Sequence, residues 1–503
     1  MAKLLLASGC SLALVAATLE PKLVAHFPLK HAAVTSVVQK FPGSSSPALL
    51  ATTYAAIGSE PVYFVKDLAN AVRSGGSNAE VTELETKTSW TNYVNLAPTA
   101  AFGTDTVVVT AGGFLVPLQG TGTIDLWEVS DLNHVKRTKV SNDKSGWFYH
   151  KIVWHDVNGD GLLDIVAARA IAPSEKKGEL IWLEHPVGNA LSNTTTDPWR
   201  EHILCSGPDV DFIFEDVDGD GRHEVIATQF FSAPQLAMYS CAKNHWSECD
   251  ESSITVTVID RESGPFFSVV RTDINGDGRL DILVSNNQDD GTGAVFAYEQ
   301  PSNILAGTWT KHVLASGYKP LPTLLPNPPH ARGAPGASQA FWPLVSNKSS
   351  KPWILVSGDD AGFAAVLKPT SDSVDTWSYS QEFFVNSTGT IGTPSAADVD
   401  GDGKTELVVP FYNDAKIEIY TFSDKPEPAP LAQCIACLDQ LDPVHLSSSH
   451  SWCYKDQQCH AVGSFLNPCS SDECASAAGA SKCKCTTCND EACHAPRMST
   501  LVI

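Results

Sequence analysis

Four short segments of this chain repeat acidic side chains at one fixed spacing. The first, DVNGDGLLDIV, begins at residue 156, and its counterparts begin at residues 216, 273 and 398. Each has Asp or Asn at positions 1, 3 and 5, glycine at positions 4 and 6, and an acid at position 9. A hard cation such as Ca²⁺ takes oxygen ligands from alternate positions of a tight turn, with a backbone carbonyl among them. The segments therefore predict metal-binding loops.

Four Ca²⁺ sites are predicted, with ligands from the side chains at positions 1, 3, 5 and 9 and the backbone carbonyl at position 7. The ligand sets are Asp156, Asn158, Asp160, Leu162 and Asp164; Asp216, Asp218, Asp220, Arg222 and Glu224; Asp273, Asn275, Asp277, Arg279 and Asp281; and Asp398, Asp400, Asp402, Lys404 and Glu406. An EF-hand is excluded because position 12 has no acid and a strand-like sequence follows. Ordinary hairpins also use Asp- and Gly-rich turns, but four equal spacings favour calcium with a structural role.

The positions of the loops indicate a repeat. Successive loops are 60, 57 and 125 residues apart, and the last interval is about twice the others. The strand sequence that follows each loop recurs without a loop at 351–362, 104–113 and 47–56. Seven copies, each followed by further short strands, are typical of propeller blades. We predict an all-β fold with a seven-bladed β-propeller over residues 18–425; a β-sandwich array or an open solenoid is the alternative.

The two ends of the chain differ from the repeats. Residues 1–17 contain Lys3, an apolar run and a small-residue cleavage site, which predicts a secretory signal peptide. Residues 426–433 form a predicted Pro-rich linker, and ten of the 14 cysteines follow within 434–495. Such crowding in a secreted chain predicts a small disulfide-rich domain, with zinc binding by the C-x-x-C pairs as the competing interpretation.

Modification and charge point to the same compartment. Cys241 and Cys249 are expected to bridge a propeller loop, which leaves Cys205 without an obvious mate. Three sequons are compatible with glycosylation: Asn193, Asn347 and Asn386. The net charge of −23 argues against nucleic acid and against anionic membranes. No segment after the N-terminal run is long and apolar enough to predict a transmembrane helix. We expect a secreted, extracellular glycoprotein.

The loop pattern D-x-[DN]-x-D-G-x-x-[DE] followed by an apolar strand resembles the FG-GAP/VCBS repeats of integrin α-subunit propellers. The resemblance covers residues 20–425 and implies a seven-bladed ring with calcium in the blade loops that carry the pattern. The segments GELIWLEHP and WTKHVLASG are also similar to propellers of fungal sugar lyases of the aldos-2-ulose dehydratase type. The cysteine-rich tail, through its C-x-x-C start and WCYKDQQC core, resembles a PSI (plexin–semaphorin–integrin) module.

Catalytic motifs are missing from the sequence: there is no G-x-S-x-G, H-E-x-x-H or G-x-x-x-x-G-K pattern. His150, Asp209, Asp211 and Arg332 are candidates to converge at one mouth of the channel, although any wet channel collects polar side chains. We therefore expect a binding or adhesion module for an extracellular glycan or protein partner rather than an enzyme. The alternatives are a carbohydrate-active lyase or hydrolase at the channel mouth, and a structural extracellular protein.

Overall fold

Short apolar runs separated by Gly, Asp and Pro turns form antiparallel four-stranded sheets, and seven such sheets are present in the described chain. They are the blades of the all-β, seven-bladed β-propeller that the repeats predict. The computed structural model describes residues 19–54, 60–88, 90–113, 121–172, 175–188, 190–191, 198–322, 332–424, 450–453, 458–461 and 474–476. The chain divides into two units, Pro21–Phe422 and Met1–Glu20 with Ser423–Ile503.

In blades one to six, the four strands of a blade follow one another in chain order. Blades one to three are β2 (Ala32–Val38), β3 (Ala48–Thr53), β4 (Glu60–Val65) and β5 (Val81–Thr88); β6 (Thr91–Leu96), β7 (Val107–Gly112), β8 (Ile124–Glu128) and β9 (Lys136–Lys139); and β10 (Phe148–His155), β11 (Asp164–Ile171), β12 (Lys177–Glu184) and β13 (Arg200–Ser206). Blades four to six are β14 (Phe212–Glu215), β15 (Glu224–Gln229), β16 (Gln235–Cys241) and β17 (Ile254–Asp260); β18 (Phe266–Thr272), β19 (Asp281–Asn286), β20 (Gly293–Glu299) and β21 (Thr310–Tyr318); and β22 (Ser338–Phe341), β23 (Trp353–Ser357), β24 (Phe363–Pro369) and β25 (Tyr379–Asn386).

Blade seven joins the two ends of the propeller. Its strands are β26 (Ser395–Ala397), β27 (Glu406–Phe411), β28 (Lys416–Asp424) and, outermost, β1 (Leu19–Pro28). Blades seven and one also meet at their innermost strands, where the Thr35 hydroxyl donates to the carbonyl of Thr393 at 2.9 Å. The ring is therefore closed by pairing between the first and last strands of the propeller, and β1 covers the outer edge of β28.

Burial explains why the second strand of each blade is so easily recognised in the sequence. Strands such as β3, β11 and β15 are buried at every position, because neighbouring blades cover both of their faces. A strand covered on both faces has no polar side to alternate with, so its sequence is a continuous apolar run. The outermost strands, such as β21, are largely exposed at their surface and include exposed apolar residues such as Val313.

The hydrophobic core lies between blades, in clusters that each combine two neighbours. One cluster packs Val166 and Leu180 of blade three against Val225 and Tyr239 of blade four. Comparable clusters join blades two and three, four and five, five and six, one and two, and seven and one. Because each blade buries its apolar faces only against its neighbours, the ring depends on every blade being in place.

Smaller elements complete the described structure. Two short helices, α1 (Leu68–Arg73) and α2 (Thr99–Phe102), and two 3₁₀ turns, Trp246–Glu248 and Val345–Asn347, lie between strands. None of the helices in the described residues is long and apolar enough to cross a membrane. Cys241 and Cys249 form the predicted disulfide, and Cys205 is buried with a free thiol.

The tail contributes one small sheet to the described residues. Its strands are β29 (His450–Cys453), β30 (Gln458–Ala461) and β31 (Cys474–Ser476), with β29 in the middle. The predicted signal peptide, the Pro-rich linker, the sequon at Asn193 and most of the predicted PSI-like module lie outside the described residues. Their assignments stay predictions.

Candidate metal loops and central cavity

The four acidic loops occupy the same place in four blades. Each connects the first strand to the second, in blades three, four, five and seven. The glycines at positions 4 and 6 have φ values between 78° and 89° in all four loops. This left-handed conformation is strained for residues with a Cβ, which is why both positions are glycine. The nearly equal φ values show that the loops share one backbone conformation.

Two acids fix the shape of each loop through backbone hydrogen bonds. In the first loop, Asp156 accepts from the amides of Gly159 (2.7 Å) and Gly161 (2.9 Å), and Asp164 accepts from that of Val157 (2.9 Å). The position 1 acids of the other loops accept from the same glycine amides. Their position 9 acids accept from the position 2 amide at 2.9 to 3.0 Å. All four loops therefore hold these acids in one arrangement.

Carboxylate oxygens converge in the second and fourth loops. One oxygen from each side chain at positions 1, 3 and 9 lies within 4.8 Å of the other two; the groups are Asp216, Asp218 and Glu224, and Asp398, Asp400 and Glu406. Each of these groups could hold a metal ion. In the first and third loops, position 3 is Asn158 or Asn275, which offers an amide oxygen in place of a carboxylate.

The position 5 carboxylate turns towards position 7 wherever that residue is basic. The pairs are Asp220–Arg222, Asp277–Arg279 at 2.6 Å and Asp402–Lys404 at 3.6 Å. In the first loop, Leu162 occupies position 7 and the Asp160 carboxylate accepts a hydrogen bond from the side-chain NH₂ of Asn158 at 3.2 Å. The basic side chains offset part of the loop charge. That the position 7 carbonyls bind the ion stays a prediction.

Burial makes the position 9 acids hard to ionise. Burial, with a smaller contribution from the other loop carboxylates, raises the pKa of Asp164 to about 6 and that of Glu224 to about 7. The same causes raise the pKa of Asp281 to about 6 and that of Glu406 to about 7. A divalent cation among these oxygens would favour the ionised forms. Because the donors are carboxylate and amide oxygens, the residues present fit Ca²⁺.

A cavity of about 600 Å³ lies in the centre of the propeller, and residues from all seven blades line it. Of the four channel residues named from the sequence, His150, Asp211 and Arg332 line this cavity. Asp211 lies 3.1 Å from the ammonium group of Lys151, which is also part of the lining. The structure thus brings three of the four candidates to one cavity.

Asp209, the fourth candidate, is buried and is not part of the cavity lining. Its carboxylate accepts hydrogen bonds from the amides of Phe230 (2.7 Å), Phe231 (2.9 Å) and Ser232 (2.7 Å). Burial raises the pKa of Asp209 to about 6. Asp209 therefore anchors the turn after β15, which carries two aromatic side chains of the cavity lining.

Blades three to five supply aromatic rings to the cavity. Phe230 lies 4.7 Å from Phe231 and 6.3 Å from Phe267 between ring centroids. The imidazole of His150 meets the ring of Phe267 edge to face at 5.9 Å. These side chains are half-buried and line the same cavity. They give this part of the lining an apolar, aromatic character.

Blade six supplies charged groups to the cavity, and Asn287 of blade five contacts one of them. The guanidinium Nε of Arg332 lies 3.6 Å from the carboxylate of Asp360, and Asn287 donates to Asp359 at 3.1 Å. Asp359 has a φ of 50°, a conformation that costs a non-glycine residue free energy. Its carbonyl accepts hydrogen bonds from the amides of Gly362 (3.0 Å) and Ile391 (3.1 Å), which hold the strained turn in place at the cavity.

The titratable groups of the cavity are shifted towards neutrality or paired. Burial lowers the pKa of His150 to about 4, so its imidazole is uncharged at neutral pH. Burial, with the neighbouring Asp360, raises the pKa of Asp359 well above its usual range and favours its protonated form. The nearby Asp211 carboxylate raises the pKa of Lys151, which keeps that ion pair charged.

Several residues that line the cavity were not predicted from the sequence. Lys151, Asn287, Tyr54 and Tyr412 carry no motif, because the cavity is assembled from distant strands. Asp359 and Asp360 had a local signal: two adjacent acids in VSGDDAG, directly after the recognised strand of blade six. Paired acids at the end of a strand next to the channel could have been proposed as site residues.

Comparison with a family model supports the repeat architecture. The FG-GAP repeat family matches residues 267–298, which include the third acidic loop in blade five. The sequence has no match among curated proteins. One similar solved structure is titled "Crystal structure of BBS1N in complex with ARL6DN, soaked with lead", with 12% identity, a TM-score of 0.42, and coverage of 80% of this chain and 96% of that one. The chain therefore contains an FG-GAP repeat within a seven-bladed β-propeller, an architecture that serves in general as a binding module.

Proposed function

We propose that the protein is a secreted β-propeller, stabilised by four Ca²⁺ ions, that binds a glycan or a protein partner outside the cell. The observation that carries this proposal is the shared geometry of the four loops, whose glycines and acids repeat the same φ values and hydrogen bonds. The FG-GAP match supports a binding role. The position 7 carbonyls and the position 5 carboxylates complete the proposed ligand sets.

The role of calcium in this proposal is to hold the native ring together. Extracellular calcium modules have dissociation constants of roughly 0.1 to 1 mM, near the concentration outside cells. At a tenfold excess of free ion over that constant, each site stabilises the native state by about 1.4 kcal/mol. Isothermal titration of the purified chain should give close to four bound ions. A protein that binds no Ca²⁺ at millimolar concentration would overturn this part of the proposal.

Secretion is supported by three features of the chain. Residues 1–17 have the pattern of a signal peptide. The Cys241–Cys249 disulfide suits an oxidising compartment, and the sequon asparagines Asn347 and Asn386 are exposed. Expression in a secreting host, with sequencing of the N-terminus and mass analysis before and after deglycosylation, tests all three. Retention of the uncleaved chain inside the cell would contradict the assignment.

A partner screen tests the binding role. The purified full chain is applied to an array of glycans and to an extracellular protein panel. Each screen is run in about 2 mM calcium, twice the upper dissociation constant expected for such sites, and again in chelator. We expect a retained partner in calcium and loss in chelator, because the blades must be in place to present a surface. Absence of any retained glycan or protein in calcium would overturn the proposal.

A second candidate function is favoured by the cavity. The shifted pKa values of His150 and Asp359 resemble those of acid and base groups in enzymes. On this alternative the protein is a carbohydrate-active lyase or hydrolase with its site at the mouth of the channel. Incubation with polysaccharides should then release unsaturated products or new reducing ends, and Asp359→Asn should abolish the release. Intact polysaccharide after prolonged incubation would exclude this candidate.

A further inference from the structure

The lining of the central cavity divides between aromatic and hydrogen-bonding groups. Phe230, Phe231 and Phe267 come from blades four and five, whereas Asp359 and Asp360 come from blade six. A volume of about 600 Å³ lies within the range of small-ligand sites, which is about 300 to 1,000 Å³. A ligand that fills such a space must offer both apolar surface and polar groups.

The described lining contains two cationic side chains and three carboxyl groups: Lys151, Arg332, Asp211, Asp359 and Asp360. The two cations are each close to an anion: Lys151 lies 3.1 Å from Asp211, and Arg332 lies 3.6 Å from Asp360. His150 is uncharged, and Asp359 favours its protonated form. An anionic ligand would have to compete with a carboxylate for a cation, and a cationic ligand would have to compete with a cation for a carboxylate. The lining therefore favours an uncharged ligand.

The polar groups supply both hydrogen-bond donors and acceptors. Arg332 and Lys151 donate, and the carboxyl oxygens of Asp211, Asp359 and Asp360 accept. A sugar hydroxyl also donates and accepts, and the C–H groups of a sugar ring provide apolar surface for an aromatic ring. Few other uncharged ligands combine many hydroxyl groups with such apolar patches.

We propose that the central cavity is a binding site for a neutral oligosaccharide, which packs against Phe230 and Phe267 and hydrogen-bonds to Asp359 and Asp360. This inference rests on the proposed binding function and specifies its site and ligand class. The Arg332–Asp360 and Lys151–Asp211 pairs select against uronic acids and amino sugars, because they leave no charge without an opposite neighbour.

The test uses the full chain in saturating calcium and three classes of oligosaccharide. The probes are neutral gluco-, manno- and xylo-oligosaccharides, oligogalacturonates, and chitosan oligomers, with affinity measured by titration calorimetry. Phe267→Ala and Phe230→Ala each remove one aromatic ring from the cavity. Phe383→Ala, which truncates a ring that is 57% exposed on the outer strand of blade six, is the matched control. Thermal melting in calcium verifies that each variant folds.

We expect the wild-type protein to bind at least one neutral probe. Phe267→Ala and Phe230→Ala should each weaken binding about tenfold, the usual loss for an aromatic anchor, and Phe383→Ala should leave it unchanged. If a neutral probe binds and the folded cavity variants bind it equally well, the cavity inference is overturned while the proposed function stands. Binding confined to acidic or cationic probes overturns the ligand class. Failure of all three classes to bind overturns the inference, and the protein panel then decides the proposed function separately.

Discussion

The acidic loops concentrate charges of one sign, whereas the central cavity pairs charges of opposite sign. Each loop gathers three or four carboxylates in nine residues, with at most one basic side chain at position 7. In the cavity lining, by contrast, Lys151 pairs with Asp211 and Arg332 pairs with Asp360. Repulsion within a cluster of like charges is relieved by a counter-ion or by protonation, whereas opposite charges in contact need neither. We therefore expect the loops to contribute to stability through a bound ion, and the cavity to select its ligand by charge.

Removal of calcium tests this division with the largest expected effect. Four sites at about 1.4 kcal/mol each contribute roughly 6 kcal/mol at a tenfold excess of ion. For a propeller of this size, that loss should lower the melting temperature by roughly 5–10 °C. Calorimetry in about 10 mM calcium, which is roughly ten times the upper dissociation constant of such sites, and in chelator measures the shift. Excess calcium added after the chelator should restore the original melting temperature.

The same measurement on a cavity variant sharpens the contrast. Phe267→Ala should show the same calcium-induced shift as the wild-type protein, because Phe267 belongs to the cavity and not to the predicted ligand sets. A melting temperature that does not respond to chelator in either protein would break the comparison, since the loops would then tolerate their charge without an ion.

Blades with and without an acidic loop should respond differently to loss of a carboxylate. Glu406 is the position 9 acid of blade seven, whereas Asp67 closes the corresponding connection of blade one by accepting from the amide of Ser46 at 3.1 Å. Glu406→Gln should cost about 1.4 kcal/mol in calcium, because one site is lost. In chelator it should cost nothing, because the substitution also removes repulsion from the loop carboxylates.

Asp67→Asn is the matched control for that substitution. It weakens a charge-assisted hydrogen bond, so it should cost about 1 kcal/mol in calcium and in chelator alike. Denaturant titration of the wild-type protein and both variants, in calcium and in chelator, gives the loss in free energy of unfolding for each variant under each condition. An equal cost of Glu406→Gln with and without calcium would remove the distinction between the two kinds of connection.

Local patterns explain which parts of the fold could be predicted. The second strand of each blade is buried on both faces and the acidic loops repeat at fixed intervals, so both are visible in short windows. The pairing of β1 with β28 was not predicted, because the two strands lie almost 400 residues apart and no motif in either strand identifies the other as its partner. Pattern therefore predicted the blades, and the ring closure required the structure.

The residues of the cavity were also only partly predictable from local sequence patterns. His150 and Asp211 were chosen because they precede acidic loops, and Arg332 because it lies in a proline-rich insertion between blades; all three line the cavity. Asp209 looked equivalent to Asp211, but its carboxylate is used by backbone amides. Asp209 and Asp211 are two residues apart, yet one holds a backbone turn and the other lines the cavity. The sequence does not show in which direction each side chain points.

The pH dependence of the calcium effect gives a smaller test. The pKa of Glu224 and that of Glu406 are raised from 4.5 to about 7 in the folded chain. In chelator, the native state therefore keeps protons that the unfolded state releases, and stability should fall as pH rises from about 4.5 through 7. Calcium binds the ionised carboxylates, so the calcium-induced shift in melting temperature should grow over this window. A shift that is constant between pH 5 and 7.5 would contradict this assignment.

The smallest expected effect is a change of ligand preference in the cavity. Asp360→Asn keeps the shape of the side chain and a carbonyl oxygen to accept from Thr390, which now donates to Asp360 at 2.7 Å. It also removes the carboxylate that lies 3.6 Å from the Arg332 guanidinium, so Arg332 becomes more available to an anionic ligand. Affinity for oligogalacturonates should rise by up to about fivefold, the value of one exposed ion pair, with little change in melting temperature. Unchanged preference in calorimetric titrations would show that charge balance in the cavity does not select the ligand.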